Sequence, residues 1–95
     1  MANYLALVKF TTQGLANYKD TTRRADGIRE ALAKQGVEVL HLWWSMGPYD
    51  GFIEFRAEND ETASAAMLSI ASKGFVQLTT MRVFNEDEMN RIINR

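Results

Sequence analysis

Apolar residues are distributed along the chain in two patterns. In short runs they occupy successive positions of both parities, which is the pattern of a β-strand covered on both faces. Elsewhere they recur every three or four residues, which is typical of a helix with one buried side. The predicted strands are Tyr4–Phe10, Val37–Met46, Phe52–Phe55 and Phe75–Phe84. A helix is predicted after the first strand and another after the third, which gives the order β-α-β-β-α-β.

Polar caps and glycines mark the ends of both helices. The candidate caps are Asp20, Thr21 or Thr22 for the first helix and Asn59 or Asp60 for the second, and Gly36 and Gly74 follow their ends. The apolar stripes are Ala25, Ile28 and Leu32, then Ala63, Ala66, Met67, Ile70 and Ala71. Gly27 weakens the first helix by up to about 1 kcal/mol relative to Ala. The segment Thr11–Asn17, which contains Gly14, is predicted to be a loop.

A third, short helix is predicted near the C-terminal end. Asn85 is a suitable cap, and the acidic residues that follow it lie where the helix dipole favours negative charge. Met89, Ile92 and Ile93 then form an apolar stripe. Because a helix this short is marginal in isolation, we expect it to dock on its own domain or on a partner.

Two interleaved strand-helix-strand units define the expected architecture. Each crossover is right-handed, and together they form a four-stranded antiparallel sheet with both helices on one face. This is an α+β, ferredoxin-like fold, and 95 residues suffice for one domain over residues 1–95. The other sheet face would be open although it carries Leu5, Leu7, Trp43 and Phe52. A large exposed apolar patch is typical of an interaction surface, so we expect a homodimer in which a second copy covers it.

The turn after the second strand determines which side chains share a face. We predict a turn of two or four residues, because an odd number would exchange the faces. The resulting pairs are Trp44 with Ile53 and Leu42 with Phe55 under the helices, and Trp43 with Glu54 and His41 with Arg56 on the open face. Lys9 from the first strand is close to the second group.

Composition argues against several classes of function. Eleven basic and twelve acidic residues give a net charge of -1, without the basic cluster that nucleic-acid binding needs. There is no cysteine, and a single histidine without clustered carboxylates argues against a metal site. No signal peptide or membrane-spanning run is visible, so we expect a cytoplasmic protein without a membrane partner. No sequence motif indicates a cofactor.

His41, the only histidine, and Glu54 are the candidate catalytic residues. His41 can serve as a general base or haem ligand, or it can simply form a hydrogen bond at the dimer interface. Glu54 on an apolar sheet face is expected to have either a cationic partner or a catalytic role, because burying an unpaired carboxylate is costly. Acid-base catalysis and an ion pair with His41, Arg56 or Lys9 both meet that expectation.

The candidate ligand-binding residues are Trp43, Tyr49, Asp50, Phe52 and Arg56. Asp50 is expected to shape the turn by accepting backbone N–H bonds, with ligand contact as the alternative. Tyr49 can place its hydroxyl at a pocket mouth or pack within the turn. Trp43 and Trp44 are adjacent in a strand and point to opposite faces, so one belongs to the core and the other to an interface or a pocket wall.

Four short motifs occur in an order and spacing found in a known family. They are Thr12-Gln13-Gly14, Lys19-Asp20-Thr21 with Arg24, Gly47-Pro48-Tyr49-Asp50, and Ser72-Lys73-Gly74. With them the chain resembles GYD-domain proteins from Tyr4 to Met89, although Pro48 separates the Gly from the Tyr-Asp pair. The resemblance implies a ferredoxin-like unit of the dimeric α/β-barrel group.

The resemblance does not imply an activity, because the related group contains cofactor-free monooxygenases, isomerases, haem enzymes and amino-acid-sensing domains. Our leading hypothesis is a homodimer that binds a small organic ligand in an apolar pocket between its two sheets. The alternative is a cofactor-independent enzyme that uses the same pocket, with Glu54 or His41 as acid or base. A structural or regulatory interaction module is the third hypothesis.

Overall fold

The chain forms four strands and four α-helices, and three of the helices were predicted. The structure, a computed structural model, describes residues 1–95. Its strands are β1 (Ala2–Phe10), β2 (Glu38–Trp44), β3 (Gly51–Ala57) and β4 (Val76–Val83). Its helices are α1 (Thr12–Ala16), α2 (Thr21–Lys34), α3 (Asp60–Ala71) and α4 (Glu86–Ile93), with a 3₁₀ turn at Tyr18–Asp20. The predicted α+β class and the β-α-β-β-α-β order are confirmed.

The strands form one antiparallel sheet in the order β2-β3-β1-β4. Helical crossovers join β1 to β2 and β3 to β4, and each of these pairs has one other strand between its members, as a ferredoxin-like fold requires. Alternate side chains of the sheet point toward α2 and α3 and make up the core with them. The buried hydrophobic residues are Tyr4, Ala6, Ala25, Leu32, Val37, Ile53, Phe55, Ala57, Ala63, Ala66, Met67 and Ile70. The predicted apolar stripes of both helices therefore face the sheet.

The predicted loop over Thr11–Asn17 is wrong, because most of this segment is helix α1. The Thr11 hydroxyl accepts the Gly14 N–H at 3.1 Å and donates to the Gly74 carbonyl at 2.6 Å. These contacts cap the helix and attach it to the segment before β4. A Cβ atom on Gly14 would lie 2.1 Å from the Phe75 carbonyl oxygen, so glycine is required there for close backbone approach.

The predicted pairing of β2 with β3 has the correct faces and the wrong register. Leu42 lies opposite Ile53, Trp44 opposite Gly51, Trp43 opposite Phe52 and His41 opposite Glu54. The loop spans residues 45–50, an even number, so the faces stay as predicted while each pair moves by two residues. An irregularity between Val39 and His41 shifts the register by one residue, so that Glu38 lies opposite Arg56.

Helix α4 is fastened at its first turn and is otherwise exposed. Asn85 and Glu88 cap each other reciprocally, which confirms the predicted cap. The Glu88 carboxylate also contacts Arg82 Nη2 at 3.0 Å. Ile92 and Ile93 are largely exposed, so the apolar stripe does not dock on its own domain.

Candidate functional site

The sheet face opposite the helices is the main candidate surface, and we call it the open face. Its side chains come from alternate positions of all four strands: Leu5, Leu7, Lys9, Glu38, His41, Trp43, Phe52, Glu54, Arg56, Thr79 and Met81. Leu5, Leu7 and Phe52 are half-buried, whereas Trp43 is 56% exposed. The structure thus leaves a large aromatic surface uncovered beside aliphatic neighbours, as the sequence predicted.

Two polar pairs lie beside the apolar part of the open face. His41 Nδ1 and Glu54 Oε1 are 2.8 Å apart, which is hydrogen-bond distance between directly opposed residues. The His41 ring also lies 6.4 Å from the Trp43 ring, centroid to centroid. Arg56 and Glu38 form a looser ion pair at 3.8 Å. The two candidate catalytic residues therefore meet each other, and the partner of Arg56 is Glu38.

The His41–Glu54 pair can hold a proton at a defined atom. In the tautomer with its proton on Nδ1, His41 donates to the Glu54 carboxylate, and Nε2 is then free to accept a proton. The His41 and Glu54 side chains are 57% and 37% exposed, so water reaches both in the single chain. Covering the open face would exclude that water and strengthen the electrostatic interaction between them.

Asp50 links the loop between β2 and β3 to strand β1. Its Oδ2 accepts the Phe10 N–H at 2.8 Å, its own N–H donates to Val8 O at 2.8 Å, and its carbonyl accepts the Ser45 N–H at 2.9 Å. The expected acceptance of a backbone N–H is confirmed, although the donor belongs to β1 and not to the turn itself. The Ser45 hydroxyl donates a hydrogen bond to the Tyr49 carbonyl at 2.9 Å.

A small apolar cavity lies on the other side of the sheet, between α2 and the ends of the strands. We call it the Trp44 cavity; it measures about 50 Å³ and is bordered by Val8, Ala25, Ile28, Leu42, Trp44 and Leu78, among others. Trp43, Asp50 and Phe52 also border it, whereas Tyr49 and Arg56 do not. Because strand alternation directs the Trp43 and Phe52 side chains to the open face, their backbone lies nearer the cavity than their rings.

A larger cavity of about 220 Å³ lies next to it, between α2, the end of α3 and the start of β4. We call it the Lys73 cavity; its lining residues are Arg24, Gly27, Ile28, Ile70, Lys73, Phe75 and Val76. His41 and Glu54 border none of the five main cavities. The Trp44 and Lys73 cavities therefore both lie on the helical side of the sheet, away from this pair.

The sequence pattern does not predict the position of the Arg24 side chain. The charges of the first helix suggest a solvated face, yet the Arg24 guanidinium lies 4.5 Å from the centre of the Phe75 ring. Its Nη1 donates to the Asn17 carbonyl at 3.1 Å, and its Nη2 is buried without a hydrogen-bond partner. The available signal was its spacing, because Arg24 lies one helical turn before Ile28 and so borders the apolar stripe.

The shifted pKa values belong to groups that anchor the fold. Burial raises the pKa of the Tyr4 phenol above its ordinary value, and its hydrogen bond to Asp60 Oδ1, 2.6 Å long, acts in the same direction. The Asn85 N–H and the Arg82 guanidinium lower the pKa of Glu88. No group of three or more His, Asp or Glu side chains is arranged to hold a metal ion. None of the helices is long and apolar enough to span a membrane.

Comparison with known proteins agrees with this arrangement. A glutamine synthetase and cystathionine β-lyase binding protein of Thermus thermophilus is 29% identical over 82 residues, covering 85% of this chain and 86% of that protein. A homoserine dehydrogenase from Thiobacillus denitrificans has a similar fold, with a TM-score of 0.56 and 19% identity over 88% of this chain. This chain spans only 17% of the dehydrogenase, so the likeness concerns the fold alone. The GYD domain model matches residues 4–93, nearly the whole of the ferredoxin-like unit described above, and the chain therefore belongs to the GYD domain family.

Proposed function

We propose that this protein is a homodimeric binding module that attaches to metabolic enzymes. The observation that carries the homodimer is the open face, where Trp43 is 56% exposed beside half-buried Leu7 and Phe52. A surface of this kind on a small domain is an interaction surface. The similarity to a protein named for binding glutamine synthetase and cystathionine β-lyase supports enzymes of that kind as partners. The cytoplasm is the location we propose, in keeping with the cysteine-free composition.

A second copy is the simplest cover for the open face. A two-fold axis through the face would bring each Trp43 onto the apolar residues of the other chain. Covering about 100 Å² of indole surface at about 25 cal/mol per Å² contributes roughly 2–3 kcal/mol per chain. The helical side and the loop at residues 45–50 then remain available to enzyme partners.

The dimer is tested by measuring mass in solution and by one charge substitution. We expect light scattering to give twice the mass of one chain, and Trp43→Lys to shift the protein toward monomer or unfolding because it buries an unpaired charge. Leu68→Lys is the matched control, since Leu68 is 69% exposed on α3, away from the open face. A well-ordered wild-type monomer at micromolar concentration would contradict the dimer.

Enzyme attachment is tested by surface plasmon resonance with purified glutamine synthetase and cystathionine β-lyase from the same organism. We expect saturable binding of at least one enzyme to wild type and to the control variant Asp26→Ala, which alters only an exposed ion pair with Arg29. Weakened binding by a folded, monomeric Trp43→Lys would show that attachment requires the dimer. A stable dimer that binds neither enzyme would overturn this part of the proposal.

A second candidate function is a small-molecule pocket between the two sheets. The contact of His41 with Glu54 at 2.8 Å beside the exposed Trp43 ring favours it. In this version Trp43, Phe52 and Arg56 contact an organic ligand, and Asp50 and Tyr49 stand at the end of the sheet. If the pocket is catalytic and needs no cofactor, the His41–Glu54 pair is its acid-base group.

Glu54→Gln distinguishes a catalytic pair from a structural one. Gln keeps the size of the side chain and removes its charge. A catalytic role predicts an intact dimer and loss of turnover of whatever molecule co-purifies with the native protein, identified by mass spectrometry. A structural role predicts lower stability with no associated molecule. An unchanged protein in both respects would contradict any role for Glu54.

A further inference from the structure

The Lys73 cavity combines positive charge with an apolar wall. Its two ionisable lining residues are Arg24, from α2, and Lys73, from the turn after α3, and no Asp or Glu lines it. Ile28, Ile70 and Val76 supply the apolar wall. Lining of this composition attracts a small molecule that has a negative group at one end and a hydrocarbon group at the other.

Arg24 offers a hydrogen-bond donor that the protein does not use. Its Nη1 donates to the Asn17 carbonyl at 3.1 Å, and its guanidinium carbon lies 4.5 Å from the centre of the Phe75 ring. These contacts hold the guanidinium in place, while Nη2 stays buried without an acceptor. Buried N–H groups nearly always have partners. Nη2 has almost no accessible surface, so an acceptor from outside the chain reaches it only when the guanidinium turns toward one of the two cavities that Arg24 borders.

Gly27 is a second, independent feature of this cavity. It lies in the interior of α2, where glycine costs up to about 1 kcal/mol relative to Ala. Neither a left-handed backbone nor a close neighbour requires glycine there, because its φ is not positive and an added Cβ would meet nothing within 4 Å. Gly27 is exposed and lies on the lining, so the absence of a side chain leaves this side of the cavity unobstructed.

We propose that the Lys73 cavity binds a small carboxylate with a short apolar group. The carboxylate accepts from the Arg24 guanidinium, turned slightly to present Nη2, and is attracted by the Lys73 ammonium. The apolar group packs on Ile28, Ile70 and Val76. A cavity of about 220 Å³ suits a molecule of this size, since cavities of roughly 150 Å³ already admit benzene. The proposal depends on neither the dimer nor enzyme binding, because the cavity lies on the helical side of the sheet.

A carboxylate fits this site better than a phosphate does. Phosphate-binding sites offer several converging backbone N–H groups or clustered cations, whereas this cavity offers one unused guanidinium nitrogen and one ammonium. The apolar wall adds binding energy only for a ligand that carries hydrocarbon. Preference for the carboxylate over its neutral amide and over inorganic phosphate is therefore the signature to look for.

The test is a titration of the ¹⁵N-labelled full chain followed by amide chemical shifts. The probes are isovalerate, its neutral counterpart isovaleramide, and inorganic phosphate, at equal ionic strength. We expect isovalerate to shift the amides of Gly27, Lys73 and Val76 along saturating curves, with isovaleramide and phosphate at least about tenfold weaker. Equal responses to isovalerate and isovaleramide, equal or stronger binding of phosphate, or shifts confined to the open face would each overturn the proposal.

Variants identify the groups that hold the anion. Arg24→Gln and Lys73→Gln should each weaken isovalerate binding by about threefold or more, and Arg29→Gln, on the exposed side of the same helix, should leave it unchanged. Lys73 is exposed, so its replacement should leave the fold intact and remains informative if Arg24→Gln fails to fold. Gly27→Leu should narrow the cavity and abolish binding in a folded protein. Wild-type affinity in Lys73→Gln together with Gly27→Leu would overturn the proposal.

Discussion

Replacing Asp50 by Ala tests whether this side chain holds the loop between β2 and β3 against β1. In the native chain its Oδ2 accepts the Phe10 N–H at 2.8 Å, in a partly buried position near the end of the strand. The backbone bonds from Asp50 to Val8 and from Ser45 to Asp50 remain available in the variant. The substitution therefore removes one acceptor and leaves the Phe10 N–H without its partner.

The size of the effect follows from that single bond. A hydrogen bond to a charged group contributes roughly 1.5–3 kcal/mol, and water can replace part of it because Asp50 is only half-buried. We expect the free energy of unfolding to fall by about 1–2 kcal/mol. In a domain of this length, that lowers the melting temperature by roughly 4–16 °C.

The assay is urea unfolding monitored by tryptophan fluorescence at one protein concentration, because assembly would make stability concentration-dependent. The midpoint should fall with an unchanged slope. Asp50→Asn keeps an oxygen acceptor and should lose less than half as much. Asp26→Ala, which removes an exposed carboxylate, should stay within about 0.5 kcal/mol of wild type. An Asp50→Ala midpoint equal to that of Asp26→Ala would show that the Asp50 side chain does not stabilise the attachment of the loop to β1.

Three further outcomes follow from the structure. Gly27→Ala should raise the free energy of unfolding by about 0.5–1 kcal/mol, because Ala favours a helix and the added Cβ meets no neighbour. A lower free energy of unfolding in urea would contradict this. Gly14→Ala should instead lower the free energy of unfolding by about 1–3 kcal/mol, because the added Cβ would overlap the Phe75 carbonyl oxygen. An unchanged free energy in the same assay would rule out that close approach. The pKa of Glu88 is held below its ordinary value of 4.5. The stability that ionised Glu88 adds to the fold is therefore complete above pH 4.5 and is lost as the pH falls through the lowered pKa. The protection factors of the α4 amides, which correct for the intrinsic pH dependence of exchange, should fall over that range in wild type and change less with pH in Glu88→Gln.

The sequence determined which side chains share a face of the sheet. Leu42 and Ile53 lie toward the helices, whereas His41 and Glu54 lie on the open face, as the alternation predicted. This information is local, because side chains alternate along every strand and an even loop preserves the alternation. The helical stripes were predictable for the same reason, since a helix repeats with its own fixed period.

Tertiary structure decided the pairing of individual residues. His41 meets Glu54 and not Arg56, because every partner in β3 lies two residues earlier than predicted, with Trp44 opposite Gly51. Asp50 attaches the loop in this register to Val8 and Phe10. No local rule relates residue 50 to residues 8 and 10. The predicted ligand-binding set was likewise divided, with some members bordering the Trp44 cavity and others lying only on the open face or in the loop.

Helix α1 and the burial of Arg24 depend on contacts that the local sequence does not encode. Helix α1 is too short and polar to be recognised by periodicity, and it persists because Thr11 is bonded to the segment before β4. Arg24 resembles the solvated charges around it until Phe75, from a distant part of the chain, packs against it. Periodicity along a segment fixes its faces, whereas the partner across each face is chosen only when segments far apart in sequence pack together.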